Sequence, residues 1–295
     1  MRAAIIVFSP SGHTLKVARL FKKELENRNI GVQLIDITKN RNYLRNSNCK
    51  QHLEKELKEH DVILIGGPVY AGHVEKNILQ LLKQLPEAGG KYGYLAVPFV
   101  TYGGVHSSIA LEEMGRYIKK KNRKSILGVK IAAEHTLSKT LDNVINKQKP
   151  GNLEEKIISK AVERIIKIAE QDYKSIEDVS KSFKYAKLPE RILFNLFAQE
   201  TFHKKFKEVS IDSSKCITCR KCVDVCPVNM FEYSKDKVKM VRDKAECILC
   251  AQCYHNCPTH AINYPYIEMA RKRLKNGHIK LEEDYISISA KNGKG

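Results

Sequence analysis

"RAAIIVFSPSGHT", residues 2–14, sends a short apolar run into a loop of small hydroxyl residues. The loop then opens an amphipathic helix over 12–28, with Leu15, Val17, Ala18, Leu20, Phe21 and Leu25 as its apolar positions. An unbroken apolar run of this length reads as a strand buried on both faces. The same alternation recurs down the chain. Strands are expected over 32–37, 61–67, 92–100 and 125–131, and helices over 74–85, 107–120 and 153–171. The last of these carries Leu153, Ile157, Ala161, Ile165 and Ile168 on one face, suited to covering a sheet. The implied class is α/β, a doubly wound, five-stranded parallel sheet.

Open sheets of this class bind ligands beyond the carboxyl ends of their strands. Three loops fall there: "SPSGHT" (9–14), "GGPVYAGHV" (66–74) and "VTYGGVHSS" (100–108). At a helix N-terminus the free N–H groups and the dipole favour a phosphate without lysine or arginine. Ser9, Ser11 and Thr14 add hydroxyls, and Gly12 lets the backbone approach closely. The other two loops each set an aromatic, Tyr70 or Tyr102, beside glycines. No G-x-G-x-x-G follows a strand and no G-x-x-x-x-G-K-[ST] occurs, so direct NAD(P)H or ATP chemistry has no motif to support it.

From residue 209 the texture changes to short strands, turns and cysteines. Eight of the nine cysteines stand in two runs, "CITCRKCVDVCP" (216–227) and "CILCAQCYHNCP" (247–258). The runs form an internal repeat: Cys216, Cys219, Cys222 and Cys226 map onto Cys247, Cys250, Cys253 and Cys257. Asp212 maps onto Asp243, Pro227 onto Pro258 and Tyr233 onto Tyr264. A zinc site would pair two C-x2-C knuckles and leave the third cysteine and the C-P ending unused. The ninth thiol, Cys49, reads as incidental, and His135 and His203 as surface or packing residues.

The first half resembles the flavodoxins, whose phosphate loop Ser9, Ser11, Gly12 and Thr14 match over roughly residues 1–172. That resemblance implies FMN, with Ser9, Ser11, Gly12, His13 and Thr14 at its phosphate end. Pro68, Tyr70, Gly72, Thr101, Tyr102, Gly103 and Gly104 would lie along the ring. The loops carry His13, His73 and His106 but few carboxylates, Glu75 being nearest in sequence. A flavin there should accept its second electron more easily than in an acidic flavodoxin. Residues 209–264 resemble bacterial ferredoxins with two [4Fe–4S] clusters, in which the fourth cysteine of each run serves the other cluster. The implied ligand sets are Cys216, Cys219, Cys222 and Cys257 for one, and Cys247, Cys250, Cys253 and Cys226 for the other.

Together the halves resemble the flavodoxin–ferredoxin fusion proteins of anaerobic microbes, the EFR-type ferredoxin family. This implies a flavodoxin-like domain (1–172), a helical connector (173–208), a small α+β two-cluster ferredoxin domain (209–264) and a basic tail (265–295). Within the connector, residues 188–206 read as an apolar helix started by Pro189 and packed between domains. The expected role is electron transfer between FMN, the clusters and outside redox proteins. The alternative is a terminal flavin reductase of a quinone or nitro compound, with His73 or His106 as its acid or base. The formal charge of +19 favours acidic carriers as partners, and no motif points to specific nucleic-acid binding. No apolar stretch reaches membrane-spanning length and no signal-peptide pattern opens the chain, so a cytoplasmic location is expected.

Overall fold

The computed structural model describes residues 1–44, 48–196, 209–242, 246–276 and 283–286. The N-terminal half alternates as its apolar runs imply. Its strands and helices are β1 (Arg2–Val7), α1 (His13–Glu26), β2 (Gly31–Asp36), α2 (Cys49–Glu56), β3 (His60–Tyr70), β4 (His73–Val74), α3 (Lys76–Gln84), β5 (Tyr92–Tyr102), α4 (Ala110–Lys119), β6 (Lys124–Ser125), β7 (Val129–Ala132) and α5 (Asn152–Ala169). The strands order as β2-β1-β3-β5-β7 and pair in parallel, with Ile5 set against Leu34 on one side and Leu64 on the other. This 2-1-3-4-5 winding is the flavodoxin-like order, which reverses direction between the first and third strands.

Alternate residues of the strands feed two cores. Ala3, Ile5 and Val7 pack with Phe21 and Leu25 of α1 and Ile158 and Ile165 of α5. Ala4, Ile6 and Phe8 pack with Leu81 of α3 and Met114 of α4, in a cluster that runs on into Val228, Phe231 and Ile248 near the cysteines. One apolar body therefore joins the two modules. Polar contacts reinforce it. Lys39 N donates to Pro227 O (2.8 Å), Asn229 Nδ2 donates to Lys39 O (2.6 Å), and Arg41 pairs with Glu232 (2.8 Å).

Several elements differ from the sequence expectation. The polar stretch after β2 holds α2, which buries Cys49 and Leu53. Burial pushes the Cys49 thiol up to about 11, fitting a packing role. The strand expected over 125–131 is interrupted into β6 and β7, with Gly128 between them lying against the ring of Phe183. Of the helix expected over 188–206, α6 spans Leu188–Leu196 and the remainder lies outside the described residues. The proposed basic tail is partly ordered structure. Residues Ile267–Asn276 form a helix against the turn at Thr136–Thr140, and β12 (Tyr285–Ile286) pairs antiparallel with β7.

In the cysteine-rich module, β8 (Ser210–Ile211) pairs with β11 (Ile262–Asn263), and β9 (Phe231–Ser234) forms a hairpin with β10 (Lys237–Met240). The sequence repeat is also a backbone repeat. Thr218, Arg220 and Asn229 take left-handed φ values of 54°, 64° and 54°; their counterparts Leu249, Ala251 and His260 take 53°, 60° and 52°. Non-glycine residues adopt this region sparingly. Three matched pairs show that each half folds its thiols by the same local path.

Candidate functional site

The first question is where eight thiols go once the two runs fold. They separate into two groups of four, each around a small cavity. Cys216, Cys219, Cys222 and Cys257 line one; Cys226, Cys247, Cys250 and Cys253 line the other. In each group the last cysteine of a run has crossed to the partner run. The reason is local: after Cys226 and Cys257 the proline turns the chain away, and a backbone amide four residues on returns to the sulfur. Met230 N donates to Cys226 Sγ and Ala261 N to Cys257 Sγ, both at 3.2 Å. Leu249 N donates to Cys247 Sγ at 3.5 Å.

The donor sets suit iron–sulfur clusters. Among the described residues, no three His, Cys, Asp or Glu side chains converge on a point as a single metal ion requires. The thiols instead stand around an opening, with amides aimed at sulfur. Burial pushes the thiols of Cys250 and Cys253 up, and that of Cys222 to about 11, so each needs a metal to hold it as thiolate.

A much larger cavity, about 460 Å³, opens at the carboxyl ends of β3, β5 and β7. This is the size range of small-ligand sites. Of the residues expected to hold FMN, Ser11, His13, Pro68, Tyr70, Gly72, Thr101, Tyr102 and Gly103 line it. Ser9, Gly12, Thr14 and Gly104 are not in its wall. Two of these build the loop behind it: Ser9 Oγ accepts from Leu15 N (2.9 Å), and Thr14 Oγ1 meets Thr101 Oγ1 (2.7 Å). Gly12 turns the chain at φ 84° into α1, in whose first turn Ser9 Oγ takes Leu15 N and Gly12 O takes Lys16 N.

Three observations test the fit to FMN. A phosphate-sized anion would meet the amides of His13 and Thr14 at the start of α1, which have no acceptor among the described residues. Gly72 sits at φ 79° with its missing Cβ 2.6 Å from Phe194, and a side chain at Gly103 would strike His135, so both glycines make room for side chains of the wall. His135, in the wall, has a buried Nδ1 with no hydrogen-bond partner, and burial pushes its imidazole down toward the neutral form. The residues present fit the flavin.

Sequence reasoning missed much of the wall. Glu134, His135 and Leu137 arrive from the segment after β7, Phe194 from α6, Ile248, Leu249 and Cys250 from the second cysteine run, Tyr266 from the turn before the final helix and Arg273 from that helix. No local pattern marks them, because each is placed by tertiary packing. His106 also lines the wall, whereas His73 is buried behind it and bonded to Glu113 (2.8 Å). Glu75 caps α3 through Asn77 N (2.8 Å) and is fully enclosed, with burial pushing its carboxyl up to about 7. The carboxylate that does reach the cavity is Glu134, paired with Lys139 at 3.0 Å.

The class these parts define is a flavodoxin-like domain joined to a dicluster ferredoxin domain. Residues 1–121 match the family described as NADPH-dependent FMN reductase, and residues 201–262 match that described as 4Fe-4S dicluster domain. Ferredoxin-2 of Desulfomicrobium norvegicum is 55% identical over 29 residues, which are 10% of this chain and 49% of that ferredoxin. The chain thus matches about half the length of that curated relative. A flavodoxin from the domain Archaea is 16% identical, covering 58% of this chain and all of its own, at a TM-score of 0.40. Flavodoxin 1 from Bacillus cereus is 12% identical over 57% of this chain and 98% of its own, also at 0.40. The cofactors of the two domains are FMN and two [4Fe–4S] clusters, and the role they give the chain is electron transfer. No described helix is long and apolar enough to cross a membrane.

Proposed function

We propose that the chain relays electrons between outside redox proteins and its flavin through its own two clusters. The observation that carries this reading is Cys250, which stands in the wall of one thiol cavity and of the flavin-sized cavity at once. Clusters transfer single electrons and a flavin stores two, so the pair interconverts one-electron and two-electron traffic. In this reading Cys226, Cys247, Cys250 and Cys253 hold the inner cluster; Cys216, Cys219, Cys222 and Cys257 hold the outer one. Tyr70 is enclosed between the inner thiols and the cavity, where burial and Cys250 push its hydroxyl up and keep it neutral.

The outer group supplies the docking end. Cys219 is exposed and Ile217 is 62% exposed, with Lys215 and Lys221 exposed beside them. An apolar centre rimmed by cations suits an acidic carrier. Anaerobic purification with iron, sulfide and flavin measured together tests the whole reading. About eight irons and one FMN per chain are expected; zinc in place of iron, or no flavin, overturns it.

The contact of α6 favours relay over reduction of small acceptors. Phe194 packs against His73 and His106, with ring centroids at 5.9 and 5.5 Å, and fills the space beside Gly72. Arg191 holds the helix down through both oxygens of Glu112, at 2.8 and 2.9 Å. Phe194→Ala should therefore raise the rate of quinone or nitro-compound reduction by the reduced protein several-fold, with flavin content unchanged. Rapid saturable turnover by the unaltered protein would instead support the terminal-reductase reading.

A further inference from the structure

Apart from its neutral groups, the cavity wall contains two formally charged side chains, Glu134 and Arg273. Their situations differ. Glu134 is compensated by Lys139 at 3.0 Å. Arg273 has Tyr266 as its described hydrogen-bonding partner, and no ion pair with a carboxylate is found for it among the described residues. Of the wall histidines, His13 and His135 are pushed down toward the neutral form by burial. A guanidinium stays charged at any working pH. Arg273, on a helix that follows the ferredoxin unit, is therefore the one formally charged side chain of the wall without an ion pair among the described residues.

We propose that Arg273 stabilises the fully reduced, anionic flavin and so sets the potential of its second one-electron step. The inference rests on the reading that the cavity holds FMN. Adding the second electron to a flavin that carries one proton leaves a negative charge on the ring; a nearby cation favours that charged form, whereas a like charge opposes it. The inner cluster opposes it, because four thiolates around a cluster make an anion on the other side of Cys250. Arg273, a residue of the same wall, offsets that repulsion. Tyr266, half-buried and linked to it by a hydrogen bond, fixes where the guanidinium stands. The easier second reduction expected from the scarcity of carboxylates thus acquires a specific cause.

The test is an anaerobic spectroelectrochemical titration of the holoprotein, Arg273→Gln and Arg273→Lys. Arg273→Gln should shift the second-step equilibrium about tenfold toward the less reduced flavin, a fall of about 59 mV, with the first step moving less. Arg273→Lys should stay close to the unaltered protein. An unchanged second potential in Arg273→Gln with flavin bound overturns the proposal. So does a loss of affinity for FMN but not for riboflavin, which would put the guanidinium at the phosphate. Absence of flavin from the unaltered protein is a separate result that defeats the proposed function itself.

Discussion

Alanine in place of Cys226 removes about half the iron from the anaerobically prepared protein, and adding Cys250→Ala removes no more. Adding Cys219→Ala to Cys226→Ala empties both sites. The pattern follows from the crossed grouping of the thiols, where Cys226 lies with Cys247, Cys250 and Cys253 although it belongs to the first run. Cys257→Ala should behave as the mirror image, failing to add to Cys219→Ala and adding fully to Cys250→Ala. Iron and sulfide assays on the four single variants and the four pairs decide the matter. If Cys226→Ala instead overlaps with Cys219→Ala, each run serves its own cluster and the crossed assignment is wrong. The effect on the inner site is the larger one structurally. Cys226 and Cys253 are core residues in the apolar cluster that joins the modules, so loss of that cluster opens the junction as well as the site.

Phe183→Ala is expected to cost about 3–5 kcal/mol of stability in the flavin module. The ring has no solvent exposure and sits at the end of the short 3-10 helix Val179–Phe183. It lies over Gly115 of α4, whose missing Cβ would be 2.9 Å away, and over Gly128 between β6 and β7. Two glycines have surrendered their side-chain space to one phenyl ring, so removing the ring leaves a cavity. Tyr173→Ala, at a 38% exposed ring stacked on Tyr94 with centroids at 4.9 Å, is the control and should cost much less. Urea denaturation at fixed excess FMN, followed on the flavin-module transition, measures both. A change below about 1 kcal/mol for Phe183→Ala would mean the ring is loosely seated.

These two sites also mark the limits of what the sequence discloses. The five parallel strands were readable because strands buried on both faces must be continuously apolar, and "RAAIIV", "DVILIGG" and "YGYLAVPFV" are. The thiol groups were readable because a tight turn and a proline leave few paths for the fourth cysteine, and the duplication printed the path twice. Phe183 and Phe194 were not readable. Both lie in segments whose composition suggests a linker, and their importance comes from glycines far off in the sequence, Gly115 and Gly128 for Phe183 and Gly72 for Phe194. The same holds for Glu134, His135 and Arg273, which reach the large cavity from two separate elements. The histidine at 135 read as a surface or packing residue because a lone imidazole carries no local signal of the cavity it faces. Where side chains meet through chain folding alone, spacing along the sequence is silent.

The antiparallel pairing of β12 with β7 has a bearing on how the molecule is made. Tyr285 and Ile286 pair with Lys130 and Val129, Asp284 accepts from Ala132 N, and Tyr102 Oη donates to Glu283 O at 2.9 Å. The sheet of the first module is therefore finished by residues translated after the second. Until they emerge, β7 presents an unpaired edge of the kind that invites association with other chains. During synthesis, the ferredoxin unit must leave the ribosome before that edge can be sealed. Assembly of the clusters and protection of the flavin module from aggregation thus fall within the same interval of the chain's birth.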